Sequence, residues 1–383
     1  KAYKAARKAN IRIPGRDVWR RRFAMSGYDL VKATFENDYI RSFHLGVGRF
    51  SSIPAGHPNT GKQLFSAVNI QANGRPMPIG GSGMLPTALK RVIEAHGGVI
   101  LTNMPVAQLI IENGKCRGVE CRDGSRYRAH KGVISTIHIK HLVQMAPKRL
   151  WGDDFVENVR LLQPEHAMFV FHYATSAPPK YELADGSTIS PTESVLMANP
   201  ERILRSDFEH ATGEINLTDL PLQIVCPSIA DPTRAPAGYH TLKLEGNLPY
   251  ALKQGPQHWD NIKDQVAASV FENFRKFCPN LTADKILGKF IQSPLDIERM
   301  NPAMWRGSVH AAAYGAAQSE DMRPVPGWAD YRMPIPGLYQ TGSCTAPGGS
   351  VTGTPGRNAA SVILADHGSS IAAAVAGASR TKL

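Results

Sequence analysis

Apolar residues first recur in an ordered way over 18–46, VWRRRFAMSGYDLVKATFENDYIRSFHLG, at mixed three- and four-residue spacings. That period belongs to helices, and Ser26-Gly27 interrupts it, so two helices are predicted. Residues 49–82 are crowded with Gly, Pro, Ser and Asn and predict a loop. GGSGMLPTALKRVIEAHGG then places an apolar face at Leu85, Leu89, Val92 and Ile93 between a glycine-rich entry and a stop at Gly97-Gly98. This is a glycine loop opening a helix, closed by a glycine cap. VILTNMPVAQLIIENGKCRGVECRDGSRYRAHKGVIST reads as strand, strand, turn, strand, turn, strand, with hairpin turns at Asn113-Gly114 and Asp123-Gly124. Val133 and Ile134 run into Ser-Thr as a short buried strand meeting a loop would.

From about 150 to 330 the texture changes. Candidate strands at Met168–Tyr173, Leu222–Cys226 and Tyr239–Glu245 alternate with proline-rich connections and one long helix, Asp260–Phe277. Glycine-rich α/β texture returns at 335–378. The pattern therefore predicts four stretches: helices and loop at 1–75, an α/β segment at 76–148, a separate mixed domain at 149–330, and a returning α/β segment at 331–383. Two pieces of one nucleotide-binding domain with an insertion between them would produce this order.

Composition narrows the picture. Of 383 residues, 42% are hydrophobic and 20% charged, as in a globular protein with a sizeable core. No apolar run approaches the roughly 20 residues of a membrane-spanning helix. The net charge is +12, and much of the excess lies in Lys1, Lys4, Arg7, Lys8, Arg12, Arg16, Arg20, Arg21 and Arg22. Nucleic acid, anionic lipid or an anionic cofactor would suit such a surface. No aromatic ladder is interleaved with it, so a solvated basic helix is expected rather than a specific nucleic-acid site. The five cysteines (116, 121, 226, 278 and 344) form no CxxC pair, which points to a reducing compartment. Cys116 and Cys121, five apart across an expected hairpin, read as ordinary strand residues, with paired thiols of a redox centre as the alternative. The expected location is the cytoplasm, with the mitochondrial matrix or a membrane surface as the alternative.

The chemistry concentrates near the end, in GLYQTGSCTAPGGSVTGTPGRNAASVILAD, 337–366. Glycine lets main chain approach a ligand and adopt positive φ. A helix N-terminus presents unpaired N–H groups and partial positive charge. A strand–glycine loop–helix sequence can thus hold an anion or a planar ring. A glycine-rich turn that merely caps a helix fits the pattern equally.

PIPGLYQTGSCTAPGGSVTGTPGRNAASVI closely resembles the C-terminal flavin-contact motif of phytoene-desaturase-like FAD oxidoreductases, within the amine-oxidase superfamily. The segment GGSGMLPTALKRVIEAHGGVILTNMPVAQLIIENGKCRGVECRDG is similar to the second FAD-domain segment of that family. PSIADPTRAPAGYHTLKL and PLDIERMNPAMWRGSVH resemble blocks of its substrate domain. The resemblance implies a Rossmann-like FAD-binding domain in discontinuous segments (76–148 and 331–383) plus an α+β substrate domain with a mixed sheet. It implies FAD as cofactor, with the Val106 backbone at the adenine side and Gly342 at the pyrophosphate. Gly348, Gly349, Ser350 and Val351 would line the isoalloxazine, Ser343 and Pro347 would be further cofactor contacts, and the helix near Gly356 would point at the ring. The implied activity is dehydrogenation or isomerisation of a hydrophobic small molecule, by hydride transfer to flavin; a non-catalytic, flavoprotein-derived interaction protein is the alternative. Peripheral membrane contact, a homo-oligomer, or a partner chain supplying a further nucleotide-binding unit would be compatible.

Two departures stand out. Ala346 occupies the position before Pro-Gly-Gly where the family usually carries histidine. GxGxxG is absent; GVGRFS at 46–51 fails at its last position, so a missing N-terminal unit is expected. GHPNTGKQ, 56–63, is nearly a P-loop but ends in Gln63 where Ser or Thr should hold magnesium. His138 and His141 have a plausible metal spacing without a third ligand. Cys344 reads as a packed small residue or a redox thiol, and Tyr331, Arg332 and Trp305 as packing or substrate-side residues.

Overall fold

The structure is a computed structural model that describes residues 15–50, 53–61, 71–74, 76–349 and 351–380. Three helices, not two, open it: α1 Arg16–Ala24, α2 Gly27–Thr34 and α3 Asp38–Phe50. Ser26 caps α2 by accepting the Asp29 N–H, as the interruption predicted. The second break has its own cap, because Asn37 Oδ1 accepts the N–H groups of Tyr39 (2.9 Å) and Ile40 (3.2 Å). GVGR lies inside α3, where a Cβ at Gly46 would collide with Met197 Sδ. The expected loop at 49–82 lies partly outside the described residues, as do Lys1 to Arg12.

Helix α4, Met84–Ala95, forms where the pattern placed it and ends at Gly97, whose φ of 79° needs glycine. Residues 99–101, expected as a strand, form none, and Val99, Ile100 and Leu101 are exposed. A strand needs a neighbour to take its N–H and C=O groups, and no described segment supplies one there. Strands β1 Val106–Glu112, β2 Lys115–Cys121 and β3 Arg126–Arg128 make an antiparallel meander. Its first turn, Asn113-Gly114, has both residues at positive φ (50° and 71°), the geometry that matches strand twist. Cys116 and Cys121 are buried separately, without a bond between them.

After β4, Val133–Ser135, a single-turn helix α5 (Ile139–Leu142) and α6 (Asp153–Leu161) lead into the larger sheet. That sheet contains β5 Met168–Thr175, β8 Glu193–Leu196, β9 Leu222–Val225, β10 His240–Asn247 and β11 Ile286–Gln292, in the order β11-β5-β10-β9-β8. A small hairpin, β6 Tyr181–Glu182 with β7 Thr188–Ile189, and helix α7, Pro200–Thr212, fall between its strands. Every neighbouring pair is antiparallel, so the expected mixed sheet is corrected. The reason lies in the crossover. Helix α8, Trp259–Arg275, joins β10 to β11, which run the same way but with β5 inserted between them, so no parallel pair forms. Phe169, Phe171, Leu242 and Leu244 of the sheet bury against Val266, Val270 and Phe274 of α8.

Helix α9, Pro294–Met300, starts on a Ser293/Asp296 capping box. The chain then returns to the first unit as β12, Leu338–Gln340, which pairs parallel with β4: Val133 with Leu338, Ile134 with Tyr339, Ser135 with Gln340. Helices α10, Thr354–Asp366, and α11, Ile371–Arg380, follow. No single described helix is long and apolar enough to cross a membrane.

Candidate functional site

The site grows from the end of β12. Leu338, Tyr339 and Gln340 are buried, and the Thr341 N–H bonds to Ser135 O at 2.9 Å, so the two parallel strands end side by side. The chain then leaves the sheet through Gly342, with φ of 88°. Gly348 (φ 111°) and Gly353 (φ 67°) complete the left-handed positions that a side chain would strain. Thr345 closes the first bend, its hydroxyl donating to Gly342 O at 2.9 Å. Gly353 caps α10, and Gly356 falls in that helix's first turn, where backbone N–H groups have no intrahelical partner.

The inner side of this loop is held by Arg323 and Tyr314, which no sequence spacing singled out, and by Tyr331, expected as a packing or substrate-side residue. Arg323 is fully buried, yet all its hydrogen bonds go to main-chain carbonyls. Its Nη2 donates to His310 O and to Ser343 O, each at 2.6 Å, and its Nε donates to Ser343 O at 3.1 Å. The guanidinium fork therefore pins 310–318 to the glycine loop from below. Tyr314 lies under the guanidinium at 5.1 Å and donates its hydroxyl to Gly349 O at 3.0 Å. Burial pushes the Tyr314 hydroxyl up to about 12, with Arg323 pulling the other way, so it stays a neutral donor. Tyr331 is buried and donates to Ala346 O at 2.6 Å while accepting from Asn358 Nδ2 at 2.8 Å. It ties the loop to α10. Tyr314, Tyr331, Ala346, Pro347, Thr354 and Asn358 surround a cleft of about 460 Å³.

The predicted residues sort as follows. Gly342, Ser343, Pro347, Gly348, Gly349 and Gly356 share this loop and helix start. The glycines at 348 and 349 are needed by packing as well, since a Cβ would strike Tyr314 at 2.6 Å and His310 at 2.8 Å. Val351 is 83% exposed, and Ser350 lies outside the described residues. Val106 is placed elsewhere, opening β1 in register with Cys121. Among the described residues, two buried groups at the loop's entrance, Gln340 Oε1 and Thr341 Oγ1, find no hydrogen-bond partner. Buried polar atoms are rarely left so, and the Thr341 hydroxyl sits beside the Gly342 backbone.

The remaining candidates resolve into structural roles. Arg332 pairs with Asp366 on the surface, and Trp305 lies beneath Lys140 Nζ at 4.6 Å. Cys344 is buried, which pushes its thiol up to about 11 and keeps it protonated at neutral pH. His138 and His141 do not converge on a metal: their Nε2 atoms face Ala311 O (2.7 Å) and Pro302 O (3.0 Å). Burial first, then the nearby cations, lowers His138 to about 4. Gly56, the start of the near P-loop, gives its N–H to Asp207 Oδ2 at 2.8 Å, a carboxylate where a phosphate would have to sit. Among the described residues no group of acidic, histidine or cysteine side chains could hold a metal.

No protein-family model matches the chain. A pyridine nucleotide-disulfide oxidoreductase domain-containing protein 2 from Rattus norvegicus is 28% identical over 295 residues, 75% of this chain and 50% of that protein. A neurosporene-forming phytoene desaturase from Cereibacter sphaeroides is 26% identical over 282 residues, 73% of this chain and 51% of the relative. The chain is phytoene-desaturase-like. A limonene dehydrogenase polypeptide from Castellaniella defragrans is 25% identical, over 76% of this chain and 56% of that polypeptide. This phytoene-desaturase-like chain thus spans about half the length of the curated relatives it matches. Its fold is similar to an oxidoreductase from Methanosarcina mazei, at TM-score 0.57 and 20% identity over 88% of this chain and 68% of the other. A putrescine oxidase variant superposes at TM-score 0.54 and 12% identity, over 90% of this chain and 68% of that one. The chain thus shares a mixed α/β fold with these oxidoreductases.

Proposed function

We propose that the phytoene-desaturase-like chain holds FAD along 342–356 and takes part in dehydrogenating or isomerising an apolar substrate. The supporting observation is the loop itself: three left-handed glycines, a buried hydroxyl at Thr341 without a partner among the described residues, and the α10 N-terminus, all clamped from one side by Arg323, Tyr314 and Tyr331. A clamped loop keeps its main chain fixed when a ligand arrives, which is what a preorganised cofactor site requires. Gly342 and Thr341 would meet the pyrophosphate; Ser343, Pro347, Gly348, Gly349, Ser350 and Val351 would border the ring, with Gly356 at the helix end that favours negative charge. Val106 would meet the adenine side through its backbone. The flavin, when bound, supplies a two-electron acceptor for hydride.

A cleft of about 590 Å³ between β5, β10 and β11 is offered for the substrate: Met77, Pro78, Leu242 and Phe290 give it apolar walls, and His172, Lys243 and Lys289 line it beside them. The relatives' named reactions, on phytoene and on limonene, are dehydrogenations of hydrocarbons. Purified protein incubated with excess FAD and passed through a desalting column should keep the flavin absorbance bands. Gly349→Val should lose them while far-ultraviolet circular dichroism stays unchanged. A colourless wild-type protein would overturn the cofactor reading.

The second reading, an interaction protein descended from a flavoprotein, is favoured by α4, none of whose residues is buried. A partner chain seated on that face would also account for it. Size-exclusion chromatography with light scattering checks the simplest case, a second copy of this chain.

A further inference from the structure

Glu165 and His310 stand 145 positions apart in sequence and meet beneath Gly349. The Glu165 side chain is 1% exposed. One of its oxygens, Oε1, accepts the Ser308 hydroxyl at 3.0 Å and the His310 backbone N–H at 2.5 Å. Both oxygens lie within reach of His310 Nδ1, at 3.2 and 3.1 Å. A buried carboxylate here accepts a hydrogen bond from Nδ1–H, so that whenever the imidazole is neutral its lone pair lies on Nε2. No hydrogen bond to Nε2 occurs among the described residues, and the ring keeps partial exposure, 19% for the side chain. The Cδ2 corner, bonded to Nε2, is the atom that a Cβ at Gly349 would strike at 2.8 Å. The ring is held at both ends of its own residue: the backbone N–H goes to Glu165 and the carbonyl to Arg323. Tyr314 flanks the ring at 5.6 Å, but its proton is committed to Gly349 O.

We propose that Glu165 and His310 form a proton-accepting dyad at the 349 position, with Glu165 as the positioning residue and His310 Nε2 as the acceptor. The proposal rests on the flavin reading above and assigns the second half of its chemistry. One C–H bond of the substrate breaks to give a proton to Nε2. The flavin, when bound, would supply the two-electron acceptor for the hydride of the neighbouring C–H bond, so that the substrate is left with a C=C bond. The imidazolium then releases its proton to water.

The test uses the whole chain with histidine labelled in ¹⁵N. Two-bond proton–nitrogen correlation should contain, among the signals of 13 histidines, one Nδ1–H tautomer that disappears in His310→Gln. Glu165→Gln keeps volume and hydrogen bonding but can donate to Nδ1, so the same signal should convert to the Nε2–H tautomer. Diethylpyrocarbonate, mapped by peptide mass spectrometry, should modify His310 in wild type and roughly tenfold more slowly in Glu165→Gln, where the lone pair has moved. Saturating FAD should protect His310 from the reagent. An Nε2–H tautomer in wild type, or an unreactive His310, overturns the dyad whether or not flavin binds. Flavin retained without protecting His310 overturns its placement at the cofactor. Absence of flavin retention with the Nδ1–H tautomer present defeats the cofactor reading instead, and with it the hydride half of the step.

Discussion

The antiparallel sheet with α8 and the helix α4 carry equally clear apolar patterns, and the structure treats them oppositely. In the first, Phe169, Phe171, Leu244, Trp259 and Phe274 are all essentially inaccessible. In the second, Leu85, Leu89, Val92 and Ile93 line one face as predicted and remain between 41% and 57% exposed. Ile134 on β4 is likewise 55% exposed. Parallel strands ordinarily sit with both faces covered, whereas a two-stranded parallel pair has little to cover them. Periodicity reveals that a face is built for burial; it does not say which segment provides the cover.

Substitutions can break or sharpen this contrast. Phe169→Ala should cost about 3–5 kcal/mol of unfolding free energy, measured by urea titration, because it empties the closed core. A loss under about 1 kcal/mol would mean that the sheet is no better packed than α4.

The next largest effect is a pH dependence beneath the glycine loop. His138 is held near 4 when folded, against a usual value of about 6.5, because burial disfavours its charge. Between those values the unfolded chain binds the extra proton, so stability rises with pH and is lost as pH falls from about 6.5 towards 4. The contribution should reach on the order of 3 kcal/mol, and urea titrations of His138→Gln should lack it.

Arg323→Lys should cost roughly 2–3 kcal/mol, since an ammonium cannot serve the five carbonyls that the fork now meets. It should also weaken FAD retention, which a change in the distant sheet core of equal cost would do only through unfolding. Leu89→Glu should be the smallest, within about 0.5 kcal/mol by the same titration. A loss above about 2 kcal/mol would mean that α4 is covered in solution and that the contrast holds only for the isolated chain.

Much of this was readable in advance. The α2 start at Ser26, both hairpin turns, the long helix α8 and the strand–glycine–helix ending follow from local caps, turns and periods. So does the gathering of Gly342, Gly348, Gly349 and Gly356 on one loop, because they are near neighbours in the chain. Asn37 was a readable cap that the expected two helices passed over. The strand expected at 99–101 did not form, since β structure depends on a partner that composition cannot supply.

By itself, then, the sequence determined the elements whose stabilising contacts lie within a turn or two: caps, helical faces, hairpins and the glycine ending. Only the tertiary structure decided that Arg323 feeds five carbonyls, that Tyr331 bridges Ala346 and Asn358, and that Glu165 meets His310 across 145 positions. The contacts of Arg323 and Tyr331 with Ser343 and Ala346 reach the loop that follows β12 where it returns beside β4, and Glu165 meets His310 where the segment before β5 meets the one after α9. A buried charge or imidazole leaves no periodic trace, because its partners are chosen by the path of the folded chain and not by its neighbours in sequence.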